Sequence, residues 1–107
     1  MFSKEDFNFC EKVLYARYDT DQAKKSFTKD DLVTRPPNMW RYFEMMPILD
    51  PKNIITLGEG FTPIFETPKL GDKLGVTNLL IKEEGLNRTA SFKARGVSAA
   101  GSKAYEL

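Results

Sequence analysis

The chain reads as an α/β sandwich, and three features of residues 51–107 predict it. The run Ile54-Ile55-Thr56-Leu57 is short, apolar and mostly β-branched, bounded by Pro51-Lys52-Asn53 and Gly58, as a strand would be. Leu79-Leu80-Ile81 is a second, continuous apolar run, the pattern of a strand covered on both faces. Residues 91–107 then have the texture of a helix built largely from small side chains. Strand, turn and helix in this order point to a parallel sheet flanked by helices, which further βα units would have to complete. Residues 1–50 read as an N-terminal helical arm and 51–107 as the start of the α/β domain.

The arm opens with Phe2, Phe7, Phe9, Val13, Leu14, Tyr15 and Tyr18 among charges, too apolar for a disordered tail, and is expected to be docked and loosely structured. Asp19 or Thr20 can cap a short helix through Gln22-Ala23-Lys24-Lys25. Thr28 followed by Asp31 resembles a capping box for a second short turn. Pro36-Pro37 stops one element and can start the next, because proline suits a first helical position. A helix is predicted from Asn38 to Met45, with Met39, Phe43 and Met46 on one face and Trp40 packing beside Phe43, until Pro47 closes it.

After the Ile54–Leu57 strand comes Gly58-Glu59-Gly60-Phe61-Thr62-Pro63, a Gly-x-Gly without the third glycine and following helix of a dinucleotide fingerprint, and so a turn. Thr67-Pro68 is a good cap and first-position pair, Leu70 and Leu74 lie four apart, and Gly75 suits the helix end, giving a helix over 68–74. A strand is expected from Val76 to Lys82, ended by a turn at Lys82-Glu83-Glu84-Gly85. In the last helix Lys93, Gly96, Val97 and Ala100 share a face at three- and four-residue spacing, suited to pressing on a sheet or lining a ligand cleft.

Composition narrows the chemistry. The 107 residues carry a net charge of +1, with 41% hydrophobic and 29% charged residues, ordinary for a globular domain and without the basic excess of a nucleic-acid binder. No apolar run approaches the ~18 residues of a membrane span, and the N-terminus lacks signal-peptide order, so a cytoplasmic protein is expected. Cys10 is alone and histidine is absent, which excludes an internal disulfide, a zinc cluster and Ser-His or Cys-His catalysis within these residues. Lysine, carboxylates and hydroxyls remain.

One lysine of eleven has an unusual address. Lys93 follows Thr89 and Ser91, both capable N-caps, and so falls in a first helical turn whose unpaired amides disfavour a protonated amine. A neutral amine is what Schiff-base chemistry with a carbonyl cofactor needs.

Four ordered blocks now stand out: Arg17-Tyr18-Asp19, Arg35-Pro36-Pro37-Asn38-Met39-Trp40-Arg41-Tyr42, Leu57 through Pro63, and Lys82 through Gly96. In order and spacing they resemble the N-terminal portion of threonine synthase, a family of pyridoxal-phosphate enzymes with the fold-type II, tryptophan synthase β-like architecture. The resemblance implies pyridoxal 5'-phosphate held covalently at Lys93, which also moves the Cα proton of the substrate. It places Asn87, Thr89 and Ser91 in the cofactor-binding loop that presents the lysine. The implied whole enzyme converts O-phosphohomoserine and water to threonine and phosphate. Its phosphate-holding Gly-rich loop would lie beyond residue 107, so the chain reads as a truncated piece, inactive alone.

Family members usually read Asn-Pro-Thr-Gly-Ser-Phe-Lys, whereas this chain has Arg88 for the proline and Ala90 for the glycine, a change expected to deform the loop. The neighbouring readings are another enzyme of the fold, such as threonine dehydratase or cysteate synthase, and a non-catalytic remnant. A small-molecule substrate is implied, with no nucleic-acid or membrane partner and no metal, and exposed strand edges would favour self-association into a homo-oligomer.

Overall fold

The computed structural model describes residues 17–107, so the expected docking of the aromatic arm, with Cys10, lies largely outside the described residues. Helix α1 spans Thr20–Ser26, capped by Asp19, whose Oδ1 accepts from Gln22 N at 2.8 Å. Helix α2 spans Lys29–Thr34, and the expected capping box is present: Thr28 Oγ1 accepts from Asp31 N while Asp31 Oδ2 accepts from Thr28 N. Two short helices with polar faces need an anchor, and Arg35 supplies it. Its guanidinium donates twice to Glu44, at 2.6 and 2.7 Å, and also to the carbonyls of Ser26 and Arg41.

The predicted Asn38–Met45 helix is a 3-10 helix over Met39–Met45, capped by Asn38 and kinked at Tyr42, which departs from helical torsion angles. Even so it places Met39 and Trp40 in the core beside Ile48, with Phe43, Met46, Ile54 and Ala99 packed around them. Trp40 is thus the packing residue its spacing predicts.

The first predicted strand does not form: Ile54–Leu57 is extended but belongs to no sheet. Its backbone is satisfied by a helix instead. Helix α4 spans Lys93–Glu106, and Ser102 Oγ accepts from Ile55 N at 2.8 Å while Ser98 Oγ donates to Ile55 O at 2.7 Å. Trp40 Nε1 donates to the same Ser98 hydroxyl at 3.1 Å, which joins helix, extended segment and core. With both backbone groups of Ile55 taken, a ladder partner has nothing to bind there.

The sheet is made elsewhere. Strand β1, Ile64–Glu66, pairs antiparallel with β2, Leu80–Lys82, with Phe65 opposite Ile81. Among the described residues this two-stranded ribbon replaces the expected parallel sheet. Helix α3, Pro68–Leu74, connects the strands and ends on Gly75 in the left-handed region at φ 67°, as its C-terminal glycine predicts. Thr67 does not cap α3 with its side chain; its hydroxyl donates to Leu79 O at 2.9 Å. The β2 strand is shorter than Val76–Lys82 because Asn78, also left-handed at φ 56°, turns the chain first. Leu80 and Ile64 remain over half exposed, so the apolar run is not covered on both faces by any described element.

The face of α4 that packs is also not the expected one. Ala94, Ser98 and Ser102, four residues apart, are buried, whereas Lys93, Gly96, Val97 and Ala100 face solvent. Two serines select the buried face because their hydroxyls satisfy the Ile55 backbone, which the smaller apolar side chains of the other face cannot do.

Candidate active site

Lys93 is the first residue of α4. Ser91 sits just before it, and its Oγ accepts from Lys93 N at 3.2 Å while its carbonyl accepts from Ala94 N. The serine thus satisfies two donors of the first turn, but the cap position belongs to Phe92, which makes no side-chain cap bond, so neither Thr89 nor Ser91 is the N-cap expected of them. The Lys93 side chain is exposed, and its ammonium makes no hydrogen bond or ion pair among the described residues. Thr89 is exposed and its hydroxyl makes only a long bond, 3.5 Å, to Ser91 O.

Ala90, standing where the resembled pattern has glycine, adopts φ 53°. Alanine here takes the left-handed conformation that glycine would take freely, at a cost on the order of 1–2 kcal/mol. A tight turn results, with Ala90 N donating to Asn87 O at 2.7 Å.

Asn87 is buried and fixes this loop from below. Its Oδ1 accepts from Gly60 N at 3.0 Å, and its Nδ2 donates to Glu84 O at 2.8 Å and Glu84 Oε2 at 3.1 Å. All its strong hydrogen-bonding capacity is thus directed at the protein. Gly60 must be glycine here. It has φ 100°, and a Cβ would stand 2.7 Å from Met39 N and 2.9 Å from Arg95 Nη1.

Glu84 is the centre of the arrangement. Arg95 donates to it from Nε at 2.6 Å and Nη2 at 2.8 Å, and Thr62 Oγ1 donates at 2.5 Å. The Arg95 guanidinium, then the Thr62 hydroxyl, and to a lesser extent Asn87, hold its carboxyl at about 2 against the opposing effect of burial. Arg95 is correspondingly raised above its ordinary value, chiefly by Glu84. Glycine loop, 3-10 turn Glu84–Leu86 and start of α4 are therefore one unit. Glu84, Arg95, Thr62 and the role of Gly60 were not identified from sequence, because Glu84 and Arg95 lie eleven positions apart on different elements, a 3-10 turn and α4, with a loop between them that no periodicity bridges.

The Gly58–Gly60 turn shows what it does not do. Leu57 N donates to Glu59 Oε1, Gly58 N to Thr56 Oγ1 and Gly60 N to Asn87 Oδ1, and the Glu59 carboxylate is buried within the turn. These amides are committed and leave no cradle for an anion. No group of metal-ligating side chains occurs among the described residues, and no helix among them is long and apolar enough to cross a membrane.

Residues 55–106 match the family described as pyridoxal-phosphate dependent enzyme. The chain is 37% identical over 98 residues to a threonine synthase of Methanocaldococcus jannaschii, covering 92% of this chain and 24% of that protein. It is 36% identical over 98 residues to a threonine synthase of Methanosarcina acetivorans, covering 92% of this chain and 23% of that protein. A threonine synthase of Synechocystis is 39% identical over 66 residues. The chain thus spans about a quarter of the length of the first two relatives. No solved structure gives a significant match. These findings bear out the resemblance to threonine synthase.

Proposed function

We propose, from the match of residues 55–106 to the family described as pyridoxal-phosphate dependent enzyme, that Lys93 is the residue that takes the cofactor's carbonyl carbon. The observation that carries it is an exposed lysine, without a partner among the described residues, at the start of a helix, on a loop fixed from below by Asn87 and Glu84. The cofactor itself supplies an electron sink for charge at a substrate Cα. Lys93 would be the residue that holds the cofactor, and its Nζ, once free, would be the group placed to take and return the Cα proton. Ser91 orients the helix start through the Lys93 amide. Asn87 and Thr89 serve this loop by shaping it, since Asn87 spends its side chain on Gly60 and Glu84.

In this reading the chain is the N-terminal part of a threonine synthase of fold type II, tryptophan synthase β-like, with residues 1–50 as an arm and 51–107 as the start of the cofactor domain. The whole enzyme would act on O-phosphohomoserine and water, give threonine and phosphate, and work in the cytoplasm. The 98-residue similarity, which includes the arm, favours this over threonine dehydratase or cysteate synthase. The residues present fit the carbonyl end of the cofactor but not its phosphate, because the Gly58–Gly60 amides are already bonded within the protein. The 107 residues alone are therefore expected to hold the cofactor weakly and to lack activity.

Reduction with borohydride in the presence of pyridoxal phosphate, followed by peptide mapping, tests both statements. Lys93 should be labelled ahead of the other lysines, and gel filtration before reduction should remove the label. Uniform labelling of surface lysines would overturn the role of Lys93. Stoichiometric label kept at Lys93 through filtration would overturn weak holding.

A further inference from the structure

Helix α2 and the cleft beside it share an apolar surface that no described residue covers. Val33, with 83% of its surface exposed, is the most exposed large apolar side chain among the described residues. The cleft, of about 460 Å³, lies between the 3-10 helix, the glycine loop and β2, and its walls include Arg41, Tyr42, Phe61, Ile64 and Lys82. Arg41 joins the two. Its guanidinium donates to Leu32 O, the carbonyl that precedes Val33, and stands 5.0 Å from the Phe61 ring centre. Leu80 lies two residues from Lys82, hence on the same face of the ribbon as Ile64, and extends the surface. Exposed apolar side chains clustered in this way mark an interaction site.

Charge says what fits it. Arg41 has no carboxylate partner among the described residues, and its buried Nε donates to nothing. Lys82 and Arg95 share the one carboxylate of Glu84, so the cleft carries three cations against one anion. Helix α2 has the opposite sign. Asp30 and Asp31 stand against Lys29 in its first turn. Asp30, three residues before Val33 and so on the same side of the helix, makes no ion pair among the described residues. Phe61 adds a second mark of a partner. It is held in the left-handed region at φ 53° with 64% of its surface exposed, and strain of that kind is retained for function.

An acidic, apolar tip thus stands beside a cationic, apolar cleft. A half-turn about an axis at the Leu32–Arg41 contact carries each onto its complement in a second copy. We propose that this face joins two copies of the chain in an isologous pair, with Val33 of each against Phe61 of the other and Asp30 of each beside the other's Arg41. Arg41 gains the carboxylate it lacks, and the Phe61 ring gains the cover its conformation prepares for. The pair leaves the free strand edges unused, unlike the self-association expected from the sequence, and stands whether or not Lys93 carries a cofactor.

Sedimentation velocity on the 107-residue protein tests it. A reversible monomer–dimer equilibrium is expected, with a Kd on the order of 100 μM, as befits a small interface. Val33→Asp and Phe61→Asn should each weaken pairing about tenfold or more, since both remove a central apolar anchor. Neither should lower the urea midpoint, because Val33 is exposed and asparagine accepts a left-handed backbone more readily than phenylalanine. Asp30→Lys, a change at an exposed position, should weaken pairing as well, and the loss should shrink at about 1 M salt, where charges are screened beyond ~3 Å. A monomer at every concentration up to about ten times that Kd would leave the face to a different partner and overturn the proposal. Pairing that survives Val33→Asp and Phe61→Asn undiminished would place the contact on the strand edges and overturn it too. Asp30→Lys keeps the test decisive if either of those variants fails to fold.

Discussion

The two ends of α4 are fastened by carboxylates of matching acidity that reach it by different means. At the start, Arg95 and then Thr62 hold Glu84 at about 2. At the end, burial pushes the Glu106 carboxyl up, but the Lys103 ammonium, the amides of Asp50 and Leu49 and the Asn53 side chain outweigh it and hold it, too, at about 2. Glu106 Oε1 accepts from Leu49 N at 2.7 Å, Asp50 N at 3.0 Å and Asn53 Nδ2 at 3.2 Å. The lysine end is therefore a knot in which Thr62 of the glycine loop, Asn87 after the 3-10 turn and Arg95 of α4 itself converge on one carboxylate, Glu84. The far end adds to the Lys103 ammonium of α4 a cradle of three donors from a single loop. Geometry at Lys93 depends on charge and on the shape of the glycine loop, whereas the far end joins its ion pair to two main-chain amides.

The largest expected effect breaks the knot by shape. Gly60→Ala puts a methyl against Met39 N and Arg95 and keeps an unfavourable φ, and should destabilise the protein by about 3 kcal/mol. A urea midpoint close to that of the parent would show that the glycine loop and α4 are not joined as described.

Acid should weaken both ends. Each folded carboxyl lies below the ordinary glutamate value of about 4.3, so the stabilisation is fully present above that value and is lost as pH falls toward about 2. Glu84→Gln and Glu106→Gln should each remove part of the slope of unfolding free energy against pH in that window. The ends then separate by salt. At about 1 M, where the screening length is ~3 Å, the contribution lost in Glu84→Gln should shrink more than that lost in Glu106→Gln, and equal shrinkage would erase the distinction.

The smallest effect is a gain. Ala90→Gly relieves a left-handed alanine, and because that relief exceeds the extra chain entropy of glycine, stability should rise by about 0.5–1 kcal/mol. Urea unfolding that shows a loss would mean that the turn at the lysine end is not strained.

Local signals were legible in the sequence. Asp19, the Thr28–Asp31 box, the Pro68 start and the Gly75 stop act as read, because capping depends on residues within a turn of one another. Lys93 likewise stands in the first turn of α4, where the helix-start argument puts it, although Phe92 and not Ser91 holds the cap position. What failed depends on distant partners. Ile54–Leu57 has strand composition, but Ser98 and Ser102 take the backbone of Ile55, while Ile64–Glu66, beside two prolines' worth of breakers, finds Leu80–Lys82. The buried face of α4 was misread for the same reason: small side chains fit either face, and the choice is made by a segment more than forty residues away. Glu84 and Arg95 look like solvated charges until the fold brings them together.

The serine contacts to Ile55 carry a last consequence, for tolerance to substitution. Ser98 and Ser102 grip the peptide unit, not the side chain, which is half exposed. Position 55 should therefore accept many side chains, with proline the exception because it has no N–H to give. Positions 98 and 102 have no such latitude, since one hydroxyl is shared with Trp40 and the other is fully enclosed. A saturation scan of the three positions should be permissive at one and stringent at two, although only the permissive one carries a large apolar side chain.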